Sequence, residues 1–591
     1  MTPLDYVIVV SFLLVMAMAG FAITRLIKTS DDFFVAGREL TPFVLCATIT
    51  ATNLSMYQFI SIGGIAYQSG ISIIWQNWTG DMALVLAGIM VVPLMRRLRI
   101  RSIPEFLEMR YTKGLRTLVG AFWGLRLSVY LGILLYIAAT AAVIITGCAD
   151  TVQNYVRWLA AFSVVSIIYS AIGGAWAVAI MDSVQFVIML GGALIVLPIV
   201  MHAAGGMHGI AHTLQATGRA DHLALVPSYG EFGWLFIGGY MLLGFKWSTV
   251  DQSILQRAFG ARTPAISAKA MVLSGIITTP LAFFWVLPGL AASVLHPGFK
   301  NPDYAIPWLL ATQIPMVARG LLGVVLCGLI AAQISAITAD VNSVATLFTS
   351  DVYRSLLKKA PTQRQLLIVV RLSSIVCGIL MLLVAGYLRS NHEGALRANY
   401  TIVGILDMPL FIVTVVYGLL WKRANWQGAT AGFLFGGFCG IFTHFLMTPD
   451  YFHNYLFPML NFFSASLAHY AAGWNHYFTP YQKQVRNIVP FVSSGAALLI
   501  TPIVSLMTGR DRHQKVWNTI QPGHDSESDV SFDVIPTSFG GRLAVATVIA
   551  GFVIFIVGII SAHWELSFAT PMALAGMLAV FAGGVLRLAC D

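Results

Sequence analysis

The chain has 591 residues, of which 58% are hydrophobic and 10% charged; soluble domains carry roughly 25% charged residues. With a mean hydropathy of +0.79, this excludes a soluble globular protein and predicts an all-α polytopic membrane protein, one transmembrane domain over 1–591. The formal net charge of +10 raises nucleic acid as a partner, but the basic residues lie in alternate loops, and that placement argues against it.

A bilayer span needs about 20 mainly apolar residues. That test predicts about fifteen spans, near 4–27, 43–65, 74–95, 117–147, 157–175, 184–204, 231–250, 269–296, 317–348, 365–388, 401–421, 426–446, 488–508, 541–561 and 569–588. The first is too long for the apolar region of a signal peptide and lacks a clear cleavage site, so it reads as a leading, uncleaved span.

The second span, FVLCATITATNLSMYQFISIGGI at 43–65, is apolar at both ends and polar in the middle. Thr50, Thr52, Asn53, Ser55 and Gln58 fall where the helix meets the hydrocarbon midplane. Lipid satisfies none of these groups, and irregular backbone is tolerated there only where it lines a cavity. The pattern predicts a helix opened at its centre to offer carbonyls and side chains to a solute or ion, as in secondary transporters.

Farther along, Arg126 lies in the fourth span, where it either braces helices or binds solute. Asp182, at the entrance of the sixth, is a cation ligand or relay, or else a helix cap facing water. Lys246 lies near the inner end of the seventh, five residues before Asp251. Pairing with that carboxylate, snorkelling and binding of an anionic solute are its three readings. In GLIAAQISAITADVNSVATLFTSDVY at 328–353, Ser335, Thr338 and Asn342 share one helical face, and Asp340 interrupts the apolar run. Hydroxyls on one face beside the opened carbonyls of a neighbour make an oxygen cage suited to Na⁺; helix–helix packing is the alternative.

Two segments are not spans. Residues 447–487, rich in Tyr, Phe, Trp and His, read as an external loop partly in the interface, and polar 509–540 as a mobile cytoplasmic loop. Numbering the loops alternately puts Arg25, Lys28, Arg38, the RRLRIRSIPEFLEMRYTKGLR run at 96–116, Arg257, Arg262, Lys358 and Lys359 on one side. The positive-inside rule makes that side cytoplasmic, with the N-terminus external and the C-terminus cytoplasmic, in a multi-pass protein of the cell membrane surrounded by lipid. The six cysteines are scattered, with no metal spacing and no disulfide framework. No Walker A sequence, HExxH or nucleophile–base set stands out, so the reading is not an enzyme.

Six segments in order carry a resemblance: TATNLSMYQFISIGG (50–64), SIPEFLEMRY (102–111), GGAWAVAIMDSVQ (173–185), DQSILQRAFGAR (251–262), NSVATLFTSDVY (342–353) and WKRANWQGA (421–429). Together with DDFFVAGREL (31–40) they resemble the solute:sodium symporter family, especially its sodium–sugar cotransporter branch. The resemblance implies a ten-helix core of two inverted five-helix repeats, 43–204 and 231–421, after a leading span 4–27 and before accessory spans 426–591. It also implies alternating access around a midplane site and Na⁺ as the coupling ion.

Carried over residue by residue, the family's sodium site falls on the carbonyls of Ala51, Leu54 and Ala332 and the hydroxyl of Ser335. The second hydroxyl position is Ala336, a departure. A second cation site seen in some members falls on Asp182 and Thr338, with Asp340 one turn from Ala336 supplementing the pathway or conferring proton sensitivity. The sugar site falls on Asn53 and Gln58, on Gln76 or Asn77 where the family has a carboxylate, on Trp247 and Ser248 for an aromatic pair, on Thr278 for a lysine, and on Thr401.

The function implied is Na⁺-coupled import of a small polar solute, a sugar or polyol. A symporter of sugar acids, with Arg126 or Lys246 reading the carboxylate, and a membrane sensor that binds without transport are the alternatives. The sequence leaves the oligomeric state open.

Overall fold

The computed structural model describes residues 1–23, 35–357, 359, 361–390, 400–509, 532 and 534–590. Every regular element among them is helical, and the one isolated β-bridge joins Leu40 to Ala261. Among the described residues ten helices are long and apolar enough to cross a membrane, or eleven when a bent pair counts as one span.

The segment expected as a leading span begins with α1 (Pro3–Ile23), whose Asp5 accepts from the Gly323 amide at 2.8 Å and so ties it to a later helix. The next predicted span is the bent pair, α2 (Pro42–Asn53) and α3 (Tyr57–Ser69), meeting at 47°. Leu54 at the junction is extended, with φ −112° and ψ 122°. Then come α4 (Trp75–Met90), α5 (Ile103–Arg110) and α6 (Lys113–Ile145). The spans expected at 157–175 and 184–204 lie within one stretch of helical backbone, α7 (Val152–Ala203).

The second half opens with α8 (Trp234–Val250), broken at Asp251 and resumed as α9 (Gln252–Phe259). The segment 251–262, expected as a loop, therefore supplies a short inner half-helix: Asp251 caps it by accepting from the Ser253 amide and hydroxyl at 3.1 and 2.6 Å. There follow α10 (Pro264–Leu295), α11 (Ala305–Val317), α12 (Leu321–Leu356), α13 (Gln363–Ser390) and α14 (Tyr400–Leu420). The chain ends with α15 (Trp426–Met447), α16 (Phe457–Phe463), α17 (Ala465–Phe478), α18 (Val485–Met507), α19 (Phe539–Ala562) and α20 (Ala569–Cys590).

Residues 447–487 are not a loop. They fold as α16 and α17, packed through Leu456, Leu460, Ala468 and Ala471, with Phe462, Phe463, Tyr470 and Tyr477 exposed. The density of aromatics hides a 3.6-residue period, because both faces of the helices are apolar. Most of 509–540 lies outside the described residues; Phe532 is buried under the Arg587 guanidinium, 4.6 Å from its ring centre.

Small residues bring the site helices together. A Cβ on Gly275 of α10 would lie 2.7 Å from the Asp81 carbonyl of α4. One on Gly244 of α8 would lie 3.0 Å from the Thr79 carbonyl. At Gly289 a Cβ would run into the Gly63 carbonyl of α3. In lipid, close backbone approach of this kind replaces the hydrophobic effect as the source of helix association. It holds α4, α8 and α10 against the broken α2–α3 pair.

Candidate functional site

Both breaks open on one cavity, about 1180 Å³ of atom-free space with the solvent at its mouth included. Thr52, Asn53, Leu54, Ser55 and Gln58 come to it from the α2–α3 junction, and Lys246, Trp247, Asp251 and Ser253 from the α8–α9 junction. The α4 face adds Gln76, Asn77, Gly80 and Asp81, whose i, i+1, i+4, i+5 spacing sets them on one side of the helix.

The first break is stapled by its own side chains. Gln58 Oε1 accepts from the Ser55 amide at 2.7 Å and the Ser55 hydroxyl at 2.8 Å, while its Nε2 donates to the Asn53 carbonyl. Gln333 of α12 spans the break from outside. Its Oε1 accepts from the Met56 amide at 3.2 Å, and its Nε2 donates to the Leu134 carbonyl of α6 at 2.8 Å. Both amides satisfy backbone groups that an unbroken helix would have paired internally. Gln58 thus lines the cavity but spends its hydrogen bonds on the chain. Asn53, 8% exposed, leaves both side-chain polar atoms without a partner among the described residues.

At the end where α4 and α14 begin, phenols close the cavity. Gln76 Nε2 donates to the hydroxyls of Tyr57 at 3.0 Å and Tyr400 at 2.7 Å. Tyr240 meets the Tyr400 ring edge-on at 5.3 Å. Asn77 Oδ1 accepts from the Trp285 indole at 3.2 Å. At the opposite end the closure is ionic: Asp407 of α14 takes Lys246 at 2.6 Å and Arg126 of α6 at 3.1 Å, and Lys246 also reaches Asp251 at 3.0 Å. Of the readings open for Lys246, the geometry bears out the pairing; Arg126 braces α6 to α14.

Alongside the cavity lies the predicted cation set. Ser335 and Thr48 each donate to Asp182 at 2.5 Å. Arg257 of α9 stands 3.8 Å from the same carboxylate and 3.2 Å from the Thr48 hydroxyl. Asp182 is 1% exposed, so it is no water-facing cap. Ala51, Leu54 and Ala332 are buried within this region, and Ala336 and Asp340 face the cavity. Thr338 donates back to the Ile334 carbonyl at 2.8 Å. The Ala51 carbonyl accepts from the Leu54 amide at 3.2 Å, and the oxygens gathered here, carbonyl, hydroxyl and carboxylate, are the hard donors an alkali cation takes.

Of the predicted solute residues, Asn53, Gln58, Gln76, Asn77 and Trp247 line the cavity, as does Thr278. Ser248 and Thr401 lie outside the lining. The Ser248 hydroxyl turns to its own helix, donating to the Gly244 carbonyl at 2.8 Å, and Tyr400 takes the wall position beside Thr401. Sequence reasoning missed two acids. Asp81 and Asp407 each stand alone in an apolar span, the same signal that marks Asp182. No sequence feature separates the cavity phenols Tyr57, Tyr130, Tyr240 and Tyr400 from ordinary interfacial tyrosines.

Comparison with known proteins agrees with this geometry. The chain is 29% identical to a sodium/glucose cotransporter of Vibrio parahaemolyticus over 68% of this chain and 78% of that protein. It is 25% identical to the sodium/sialic acid symporter SiaT of Proteus mirabilis over 73% and 87%. A solved structure of a Na⁺-coupled sialic acid symporter, substrate-bound and outward-open, superposes with a TM-score of 0.71 at 21% identity, covering 86% of this chain and 99% of that one. That superposition establishes the ten-helix inverted-repeat fold of the core. Residues 33–436 match the sodium:solute symporter family, and the chain belongs to it.

Proposed function

We propose that this protein is a Na⁺-coupled symporter that imports a small polyhydroxylated solute, a sugar or polyol, across the cell membrane by alternating access. The observation that carries the reading is the convergence of two opened helices on one cavity walled by amides, phenols and Trp247. Such groups hydrogen-bond hydroxyls, and an indole face packs on sugar C–H groups. In this reading the N-terminus is external and the solute enters from the phenol end.

Na⁺, a co-transported substrate here, is held by the carbonyls of Ala51, Leu54 and Ala332 and the hydroxyl of Ser335, with Asp182 fixing that hydroxyl. Its binding ties α2 to α12 and sets the α2–α3 break, and with it Asn53, for the solute. Solute then draws the phenol end shut through Tyr57, Gln76 and Tyr400. Opening at the other end separates Asp407 of α14 from Lys246 of α8, and Na⁺ leaves to the low-sodium side. The membrane potential adds about 2.3 kcal/mol per charge per 100 mV. Asp340, facing the cavity one turn from Ala336, supplies charge where the second hydroxyl is missing.

Ser335→Ala and Asp340→Asn test the ion site. Solute uptake by reconstituted protein should need about tenfold more Na⁺ for half-saturation in Ser335→Ala, and Asp340→Asn should change coupling or its pH dependence. Unchanged Na⁺ dependence in both variants would place the ion elsewhere.

A further inference from the structure

Four carboxylates stand in or against the cavity: Asp81, Asp251, Asp340 and Asp407. Arg257, behind the wall, acts on Asp340 and Asp251 as it does on Asp182, and two cations in the wall itself, Arg126 and Lys246, answer the rest. Both are committed to Asp407, and Lys246 also to Asp251. The acid left without a cation is on the α4 wall. Asp340 stands on the α12 wall, beside the ion site. Asp81 stands on the α4 wall with Gln76 and Asn77, and no ion pair among the described residues reaches it.

Asp81 is held by hydroxyls alone. Thr278 lies 2.5 Å from its Oδ1 and Thr279 3.2 Å from its Oδ2. Each hydroxyl has one hydrogen, and each also stands within reach of a carbonyl of its own helix, Ser274 at 2.8 Å and Gly275 at 2.9 Å. Two hydrogens are therefore shared among four acceptors, while a carboxylate alone accepts about four. Asp81 keeps acceptor capacity that its neighbours do not fill. It is 4% exposed, so bulk water does not fill that capacity. A buried carboxyl in this state takes up a proton unless a donor carrying positive charge is bound in its place.

We propose that Asp81 is a specificity-determining residue and that the preferred solute carries a protonated amine beside its hydroxyls, an amino sugar or amino polyol. The proposal rests on the transporter reading above and narrows its substrate class. The ammonium donates to Asp81, and hydroxyls on the rest of the ligand meet Asn53, whose amide has no other partner among the described residues. A ligand carboxylate brings no cationic donor to Asp81 and leaves its open acceptor sites unmet, which sets this site against sugar acids.

The test is binding of D-glucosamine, D-glucose and D-glucuronate to the purified protein by calorimetry, at a pH where the amine is protonated, in NaCl and in KCl. Expected is glucosamine tighter than glucose by about tenfold or more, the scale of one charge-assisted hydrogen bond, with glucuronate weakest. Asp81→Asn should bring the amine-to-neutral ratio to about one, and Asp81→Glu, which keeps the charge, should retain the preference.

Equal or tighter binding of glucose or glucuronate overturns the proposal, as does an unchanged ratio in Asp81→Asn. A wild-type ratio near one, with Asp81→Asn altering only the pH dependence of uptake, makes Asp81 a proton carrier and also overturns it. Binding indifferent to Na⁺ would count against the sodium reading and leave the amine order to judge Asp81. Binding of none of the three would overturn the polyhydroxyl class and this proposal with it.

Discussion

Asp407→Asn is the sharpest test of the ionic closure. Asp407 is 3% exposed and is ion-paired with Lys246 at 2.6 Å and Arg126 at 3.1 Å. Removing its charge leaves Lys246 with Asp251 and leaves Arg126 with no ion pair among the described residues. Breaking a buried pair from one side costs about 3–5 kcal/mol, because the remaining charge is stranded away from water. Thermal unfolding in detergent, followed by the fluorescence of the buried tryptophans, should show Tm lower by roughly 2–4 °C. The double variant Arg126→Met with Asp407→Asn leaves the Lys246–Asp251 pair intact, so it should be more stable than Asp407→Asn alone, with an interaction energy of about 1–3 kcal/mol. A single variant within about 1 kcal/mol of wild type, or a double variant equal to the sum of the singles, would refute the network.

Three further outcomes follow from the same geometry. Gln333→Ala frees the Met56 amide and the Leu134 carbonyl; uptake assays should show apparent Na⁺ affinity lower by about tenfold, with the fold retained by circular dichroism. Gly289→Ala places a methyl group against the Gly63 carbonyl, and the yield of monodisperse protein should fall severalfold, since neither backbone can yield cheaply. Asp303, in the short turn before α11, is half-buried beside Ser61, and burial pushes its carboxyl up to about 6. The stability it contributes is therefore full below about pH 4 and lost as pH rises through about 6. Asp303→Asn, which mimics the neutral form, should match wild type at pH 4 and exceed its Tm at pH 7.5.

Much of the fold could be read from the chain because lipid enforces simple rules. Apolar runs gave the spans, and polar residues at the centre of 43–65 gave the break, since midplane amides and hydroxyls need a partner. The break in the other repeat was less visible. Pairing with Asp251 is one of three readings the sequence leaves for Lys246, but 251–259 is short and polar, and only packing shows it to be a half-helix. The site divides the same way. Asn53, Gln58, Gln76, Asn77 and Trp247 lie in the cavity wall because helical spacing fixes their faces. Gln58 proved to staple the chain, a role that depends on the distance to Ser55 and Asn53 rather than on residue type. Ser248 points along its own helix, as hydroxyls do inside helices by sharing the carbonyl four residues back. Asp81 carried a legible signal that the amides beside it obscured, and its lack of a counter-ion is a fact of three dimensions.

Transport itself is the most direct test of the account. Reconstituted protein, loaded with low internal Na⁺ and given labelled glucosamine or glucose outside, should concentrate the solute above equilibrium under an inward Na⁺ gradient. Accumulation should collapse when K⁺ replaces Na⁺. Accumulation that follows a pH gradient and ignores Na⁺, or binding with no counterflow at all, would contradict the claim that the opened helices bind Na⁺ and solute together for import.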